Sequence, residues 1–409
     1  MAGGNGRVAY VVGTFDTKGA ELRYAAELVA AAGTPVRTVD VSTGGPGGSA
    51  GGPGGEGVDV TAAEVAAAHP DGPDAVFTGD RGTAVTAMTV AFERFLGARD
   101  DVAGVLGLGG SGGTAIVAPA LRALPVGVPK LLVSTVAAGD VGPYVGVSDL
   151  AMMHSVTDVA GLNRISRQVI GNAAHALAGM IANTVPPAQD RPAVALTMFG
   201  VTTACVTAVA ERLAAGHDPL VFHAVGTGGR AMEALVGDGL VDAVLDITTT
   251  EICDLIAGGV FSAGPERLDV FARTGVPYVG SCGALDMVNF GARATVPEQY
   301  ADRLFYQHNE QVTLMRTSPD ECREIAAFIA AKLNACTGPV RFLLPEGGVS
   351  ALDAPGQPFW EPATDRVLFE ALEAQVEQTA DRKLIRSPHN INDPEFAAAL
   401  VAAFQEVSA

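Results

Sequence analysis

The chain has 409 residues, too many for one ordinary core and enough for two or three domains of about 100–200 residues each. Its formal charge is −19, from 26 Lys and Arg against 45 Asp and Glu, and such a surface repels nucleic-acid backbones and anionic lipid. Hydrophobic residues make up 48% of it, yet no stretch of about 18 apolar residues runs free of Gly, Pro and charge, so neither nucleic acid nor a membrane is an expected partner.

Residues 8–12 (VAYVV) read as a buried strand, and the Ala-rich residues 19–32 as its crossover helix, stopped by Ala-Gly-Thr-Pro. Residues 36–41 form the next strand, with Asp40 near its end, where a ribose hydroxyl finds an acceptor in nucleotide-binding sheets. Residues 43–57 (TGGPGGSAGGPGGEG) are too glycine-rich to bury a core and read as a mobile loop, a lid or a surface insertion. The pattern resumes with strand 75–77, helix 82–96, strand 102–108, helix 114–124 and strand 130–133, which makes a doubly wound parallel sheet the simplest topology. A helical stretch at 155–181 and a polar, Pro-containing segment at 183–192 follow, so the predicted domains are 1–186 and 187–409.

The second half opens as the first does. VALTMFGVTT at 194–203 and VAYVVGTFDT at 8–17 are apolar runs that break at a glycine, then pass through an Ala-rich segment to a second β-type run. Further strands are expected at 193–199, 220–224, 243–247, 277–279, 311–315, 340–344 and 383–386. Helices are expected at 204–214, 231–236, 319–334, 365–378 and 394–407, with an irregular stretch at 280–306. The fold class is α/β, duplicated in tandem.

In such sheets the strand-to-helix turns carry ligands, because helix N-termini present unpaired N–H groups there. LGLGGSGGT at 106–114 sits at one such turn. Its glycines admit an anion close to the backbone, while Ser111, Thr114 and the helix amides donate hydrogen bonds. It is neither a Walker A loop nor a GxGxxG fingerprint, so a phosphate or carboxylate cradle stands beside the plainer reading of a tight turn. Gly13-Thr14-Phe15-Asp16-Thr17-Lys18 follows the first strand. Asp16 or Thr17 suits a helix cap, whereas Lys18 at a helix start gains nothing from the dipole and so points to a ligand. Gly79-Asp80-Arg81-Gly82 and Ser134-Thr135 end strands at the same edge, and together these turns outline a nucleotide-sized cleft. A second glycine loop, Gly226-Thr227-Gly228-Gly229-Arg230, binds an anion or only turns the chain.

The second half is richer in ionisable residues. Asp246, Glu251 and Asp254 leave a strand and enter a helix, and the last two, three apart on one face, suit Mg²⁺ or acid–base work as well as they suit a helix first turn. Cys282 near a turn suits a thiolate nucleophile or a small buried residue. Arg316 suits bidentate binding of a carboxylate or phosphate, with a surface salt bridge as its default reading, and Glu346 and Ser350 leave a strand as ligand loops do, although no GxSxG elbow surrounds Ser350. His389, in the segment that caps the last helix, is the best single candidate for a proton carrier, beside a plain core or capping role. The five cysteines are scattered and include no CxxC, and no basic-then-apolar leader begins the chain, so no disulfide framework or structural zinc is expected and a reducing cytoplasm fits.

VVGTFDTKGAEL, GLGGSGGT, DITTTEICD, SCGALDMVNFG and PEGGVSALDAPGQPFWEP resemble the UPF0261 family, the Tm-1-like ATP-binding family, over essentially the whole chain. The resemblance implies two Rossmann-like doubly wound parallel-sheet domains in tandem, ATP at the loops of the first, and a homodimer. By position it assigns Gly13, Thr14, Asp16, Thr17 and Lys18 to the nucleotide site and Gly109, Gly110, Ser111, Gly112, Gly113 and Thr114 to the phosphates. The expectation is a cytoplasmic ATP-binding protein, with Mg²⁺ an open companion, acting on a small anionic substrate at the interdomain cleft. Asp246, Glu251, Asp254, Cys282 and His389 would do the chemistry there, with Arg316, Glu346 and Ser350 holding the substrate. The alternatives are a non-catalytic, nucleotide-gated protein-binding module, or an ATP-independent hydrolase or lyase using Cys282 or His389 with the carboxylates.

Overall fold

Apolar residues on successive positions of a strand bury both faces of a sheet, and this happens twice along the chain. The computed structural model describes residues 6–44, 58–183, 185–186 and 191–408. Most of the glycine-rich insertion read as a lid, residues 45–57, lies outside the described residues. The chain divides into two compact units, Met1–Pro187 and Ala188–Ala409.

The first unit runs β1 (Val8–Gly13), α1 (Phe15–Ala31), β2 (Val36–Asp40), α2 (Ala62–Ala66), α3 (Arg81–Gly97), β3 (Val102–Gly109), α4 (Ser111–Arg122), β4 (Lys130–Ser134), α5 (Gly142–Val145), β5 (Ala151–His154) and α6 (Arg164–Ala182). Its strands are all parallel, in the order β2-β1-β3-β4-β5. Alternation along each strand sends side chains to opposite faces. Tyr10, Val12 and Val105 pack with Met88 and Phe92 of α3 and Ile116 and Leu121 of α4. Ala9, Val11 and Leu106 pack with Leu22 and Val29 of α1 and with Ile170 and Leu177 of α6. Helices thus cover both faces, as double winding requires.

Two expectations differ here. Residues 75–77 are not a strand: Pro73–Ala75 is a 3₁₀ turn, and β3 pairs directly with β1, leaving no place between them for another strand. The stretch expected as helix at 155–181 is preceded by β5, and the helix itself begins only at Arg164. Asn163 sets that start by accepting hydrogen bonds from the Ile165 and Ser166 amides.

The second unit runs β6 (Ala193–Met198), α7 (Thr203–Leu213), β7 (Asp218–His223), α8 (Thr227–Gly237), β8 (Ala243–Thr248), α9 (Glu251–Ala257), α10 (Phe271–Thr274) and β9 (Tyr278–Gly283). It continues through β10 (Met287–Phe290), β11 (Phe305–Asn309), β12 (Val312–Arg316), α11 (Pro319–Ala335), β13 (Val340–Pro345), α12 (Pro362–Gln375), β14 (Arg382–Ser387) and α13 (Pro394–Val407). The six-stranded sheet β14-β13-β9-β8-β6-β7 is again parallel throughout. Counted within each unit, both sheets place the second strand beside the first and the third on its other side, so the shared opening of the two halves is a shared topology. The stretch expected to be irregular contains β10 and the start of β11, which flank β12 in a three-stranded antiparallel sheet, β10-β12-β11. Among the described residues, no helix is long and apolar enough to cross a membrane.

Candidate functional site

In a sheet ordered 2-1-3-4-5, the connections from β1 and β3 leave toward opposite faces, and a crevice opens between the turns that follow them. Glycine is required on both sides of that point. A Cβ on Gly13 would stand 2.8 Å from the Leu108 carbonyl oxygen, and one on Gly109 would stand 2.8 Å from the Thr114 amide nitrogen. Neither residue lines the crevice; both let its walls close up. Thr114 is likewise buried, its hydroxyl 2.6 Å from Ser134 Oγ, and ties the turn after β3 to the end of β4.

The crevice is a cavity of about 650 Å³. Thr14, Asp16, Thr17 and Lys18 form one wall, and Gly110, Ser111, Gly112 and Gly113 another. Eight of the twelve residues read as nucleotide ligands therefore line one cavity. The remaining walls are Thr43 and Gly44 after β2, and Phe77, Gly79, Asp80, Arg81, Ala84 and Val85 at the start of α3, with Ile116 of α4. The sequence placed Gly79 to Gly82 at this edge but held no signal for Phe77, Ala84, Val85 or Ile116, which look like ordinary core residues until α3 and α4 are packed together.

The two helix starts differ. No side chain caps α4 at Gly110, so its first-turn amides border the cavity. At α1 the first amides are taken internally: Phe15 N–H donates to Asp40 Oδ1 at 3.0 Å and Asp16 N–H to Ser42 Oγ at 3.2 Å. Asp40 Oδ1 also accepts from the Ser42 amide at 2.9 Å, and the residue is fully buried, with burial raising its carboxyl above the usual range. Asp40 is thus a brace behind the β1 turn and has no face toward the cavity, which corrects its reading as a ribose acceptor. Lys18 lies at a kink in α1 (φ −131°, ψ 20°), and its ammonium donates to the Val159 carbonyl at 2.6 Å.

The second unit sends most of its predicted chemistry inward. Arg267 Nη2 donates to both oxygens of Asp246 at 2.8 Å, its Nε to Glu251 Oε2 at 2.9 Å and its Nη1 to Glu233 Oε1 at 2.8 Å. Asp246 further accepts from Thr197 Oγ1 at 2.6 Å and Tyr278 Oη at 3.0 Å. Glu251 Oε1 accepts from the amides of Gly226 and Gly229 at 2.7 and 3.0 Å. The glycine loop before α8 does hold an anion, and that anion is the chain's own Glu251.

Asp254 takes hydrogen bonds from the amides of Asn289 and Phe261, both at 2.7 Å, and burial pushes its carboxyl up to about 7. The cluster read as a Mg²⁺ or acid–base site is thus a buried ion network plus a loop brace. Among the described residues, no group of three or more His, Cys, Asp or Glu is placed to hold a metal ion.

Three further candidates are enclosed. Cys282 is fully buried in the core under β9, and burial holds its thiol well above the ordinary range, so it supplies no thiolate at neutral pH. Ser350 Oγ donates to Asp286 Oδ2 at 2.8 Å and accepts from the amides of Leu352 and Asp353, shaping its own turn. Arg316 is buried, donating to Asp365 Oδ1 at 2.6 Å and to the Phe359 carbonyl at 2.9 Å, and leaves no face for a ligand. Only Glu346 and His389 reach the surface. Glu346 pairs with Arg386 at 2.6 Å, and His389 lies 4.0 Å from Asp393. Their loops meet, Gly347 N–H donating to the His389 carbonyl at 3.1 Å and Asn390 Nδ2 to the Ser350 carbonyl at 3.3 Å. Arg267, which organises this interior, stands 16 and 21 residues beyond its partners Glu251 and Asp246, with no local pattern linking them.

Comparison with known proteins agrees with the two-unit division. Residues 7–186 match the N-terminal domain of the uncharacterised protein family UPF0261, and residues 191–408 match its C-terminal domain. A UPF0261 protein of Rhizobium meliloti is 58% identical over 98% of both chains, and one of Mesorhizobium japonicum 56% identical over 98% of both. The ToMV resistance protein Tm-1 of Solanum lycopersicum is 43% identical over 98% of this chain, which spans 55% of that plant protein. The chain belongs to the UPF0261 family, with both of its domains matched.

Proposed function

We propose that the first unit binds ATP in the cavity between the turns that follow β1 and β3. The observation that carries this reading is the uncapped first turn of α4, Gly110 to Gly113, opening onto a cavity of nucleotide size at the topological switch point. Asp16 and Asp80 on the same walls suit a Mg²⁺ ion bound mainly through phosphates, which is how that ion usually enters such sites. The protein acts in the cytoplasm, as a homodimer, on or in response to a small anionic ligand.

The buried state of Asp246, Asp254, Cys282, Arg316 and Ser350 favours the second reading, a nucleotide-gated binding module, over a hydrolase built from those residues.

Calorimetry with ATP, with and without Mg²⁺, tests the site. Wild type is expected to bind, and Gly112→Val to bind at least about tenfold more weakly with its melting temperature retained, because its side chain fills the space the phosphates need. Unchanged affinity in Gly112→Val would remove the cradle. Light scattering on the same samples is expected to report twice the chain mass of 41.5 kDa.

A further inference from the structure

We propose that Arg81 grips the outer phosphates of a nucleoside polyphosphate in this cavity, an inference that rests on the nucleotide reading above and names which part of the ligand is recognised. Arg81 is the first residue of α3, directly after the cap Asp80, whose carboxylate accepts from the Thr83 amide at 2.9 Å. A cation there faces the positive end of the helix dipole and is locally unfavourable. Among the described residues it has neither a hydrogen bond nor an ion pair to offset this. Its guanidinium instead leans across the cradle: a Cβ built on Gly112 would lie 3.8 Å from Arg81 Nη2.

Lys18, the other cation of the wall, is differently placed. Its ammonium is committed to the Val159 carbonyl, so its visible role is to hold the kinked start of α1 in place. Arg81 is the group with donors to spare, and its planar fork suits two phosphate oxygens at once.

The wall carries two carboxylates, Asp16 and Asp80, against these two cations. Removing Arg81 leaves it net negative, a condition that penalises a polyphosphate far more than a monophosphate. The ribose end offers less to read, because Asp40 is consumed by the Phe15 and Ser42 amides. Recognition is thereby weighted toward the phosphate chain and away from the dinucleotide pattern, in which a free acidic residue holds the ribose.

The test is calorimetry of wild type, Arg81→Ala and Arg81→Lys with ATP, ADP and AMP, with melting curves as the folding control. Arg81 is exposed, so both variants are expected to fold. For Arg81→Ala, ATP binding is expected to weaken about ten- to a hundredfold and AMP binding by less than about threefold, with Arg81→Lys recovering part of the ATP loss. Wild-type binding of ATP together with an Arg81→Ala variant within about twofold of it would overturn this assignment and leave the cavity reading standing. Failure of wild type to bind any of the three nucleotides would overturn the cavity reading itself, and this inference with it.

Discussion

Replacing Arg267 with Met is expected to unfold the second unit at neutral pH. The guanidinium is the shared partner of Asp246, Glu251 and Glu233, and the first two of these side chains have no exposed surface. Breaking one buried pair by removing a partner costs about 3–5 kcal/mol, because an uncompensated charge stays behind. Here three carboxylates lose their cation together, against a typical domain stability of about 5–15 kcal/mol. Taking up protons relieves part of the loss but makes Glu251 Oε1 a neutral and weaker acceptor for the Gly226 and Gly229 amides. The chain's single tryptophan, Trp360, lies in the second unit, so its fluorescence in a urea titration follows that unit directly. Arg267→Lys keeps the charge but cannot fork to three partners and should fall between the two. An Arg267→Met protein that keeps its wild-type urea midpoint would show that the network contributes little.

Stability of the same unit is expected to fall as pH rises from about 5 to about 8. The buried Arg316 guanidinium lies 2.6 Å from Asp365 and 3.8 Å from Asp353, and Asp286, also buried, feels its charge. Asp286 Oδ1, Asp353 Oδ1 and Asp365 Oδ2 are buried with no hydrogen-bond partner among the described residues. Burial pushes Asp286 up to about 7 and Asp365 to about 8, from an ordinary 3.8. A carboxyl that holds its proton more tightly in the folded chain than in the unfolded one contributes stability that is complete below the unfolded value and is lost as pH climbs to the folded one. Asp254 of the same unit, which burial also pushes up to about 7, acts in the same sense, so all three carboxyls lower stability across that window.

Carboxylates held low, such as Glu321 and Glu373, act in the opposite sense, but only as pH falls below their usual range near 4.5, so they leave the window above pH 5 clear. The check is the urea midpoint by Trp360 fluorescence from pH 5 to 8. Wild type should decline, and Asp365→Asn and Asp286→Asn should each be flatter and more stable at pH 8. A flat wild-type profile would mean that these carboxyls ionise as readily inside as outside.

These two clusters mark the limit of what a linear reading reaches. The helical and strand periods, and the apolar runs that only doubly covered strands need, lie in the chain itself, so both parallel sheets were legible down to most element boundaries. Strand 75–77 failed because three apolar residues carry no period, and Val76 is buried equally well from a turn. β5 was missed because its Ala-Met-Met-His sequence alternates with no clear face; it is an edge strand paired only with β4.

The candidate site divides the same way. Glycines at the ends of β1 and β3 are local consequences of turn geometry, and the meeting of the two turns at one cavity follows from strand order, so Thr14, Asp16, Thr17, Lys18 and Gly110 to Gly113 could be read from the sequence as neighbours lining one cleft. By itself, the sequence determined the fold class, the duplication and the glycine turns, because each depends on neighbours along the chain. Only the tertiary structure decided which charged residues face the cavity and which face one another. Glu251 and Asp246 meet Arg267, and Asp365 meets Arg316, across sequence separations that carry no pattern, and burial of the pair, not the residue type, converts a catalytic-looking side chain into a structural one.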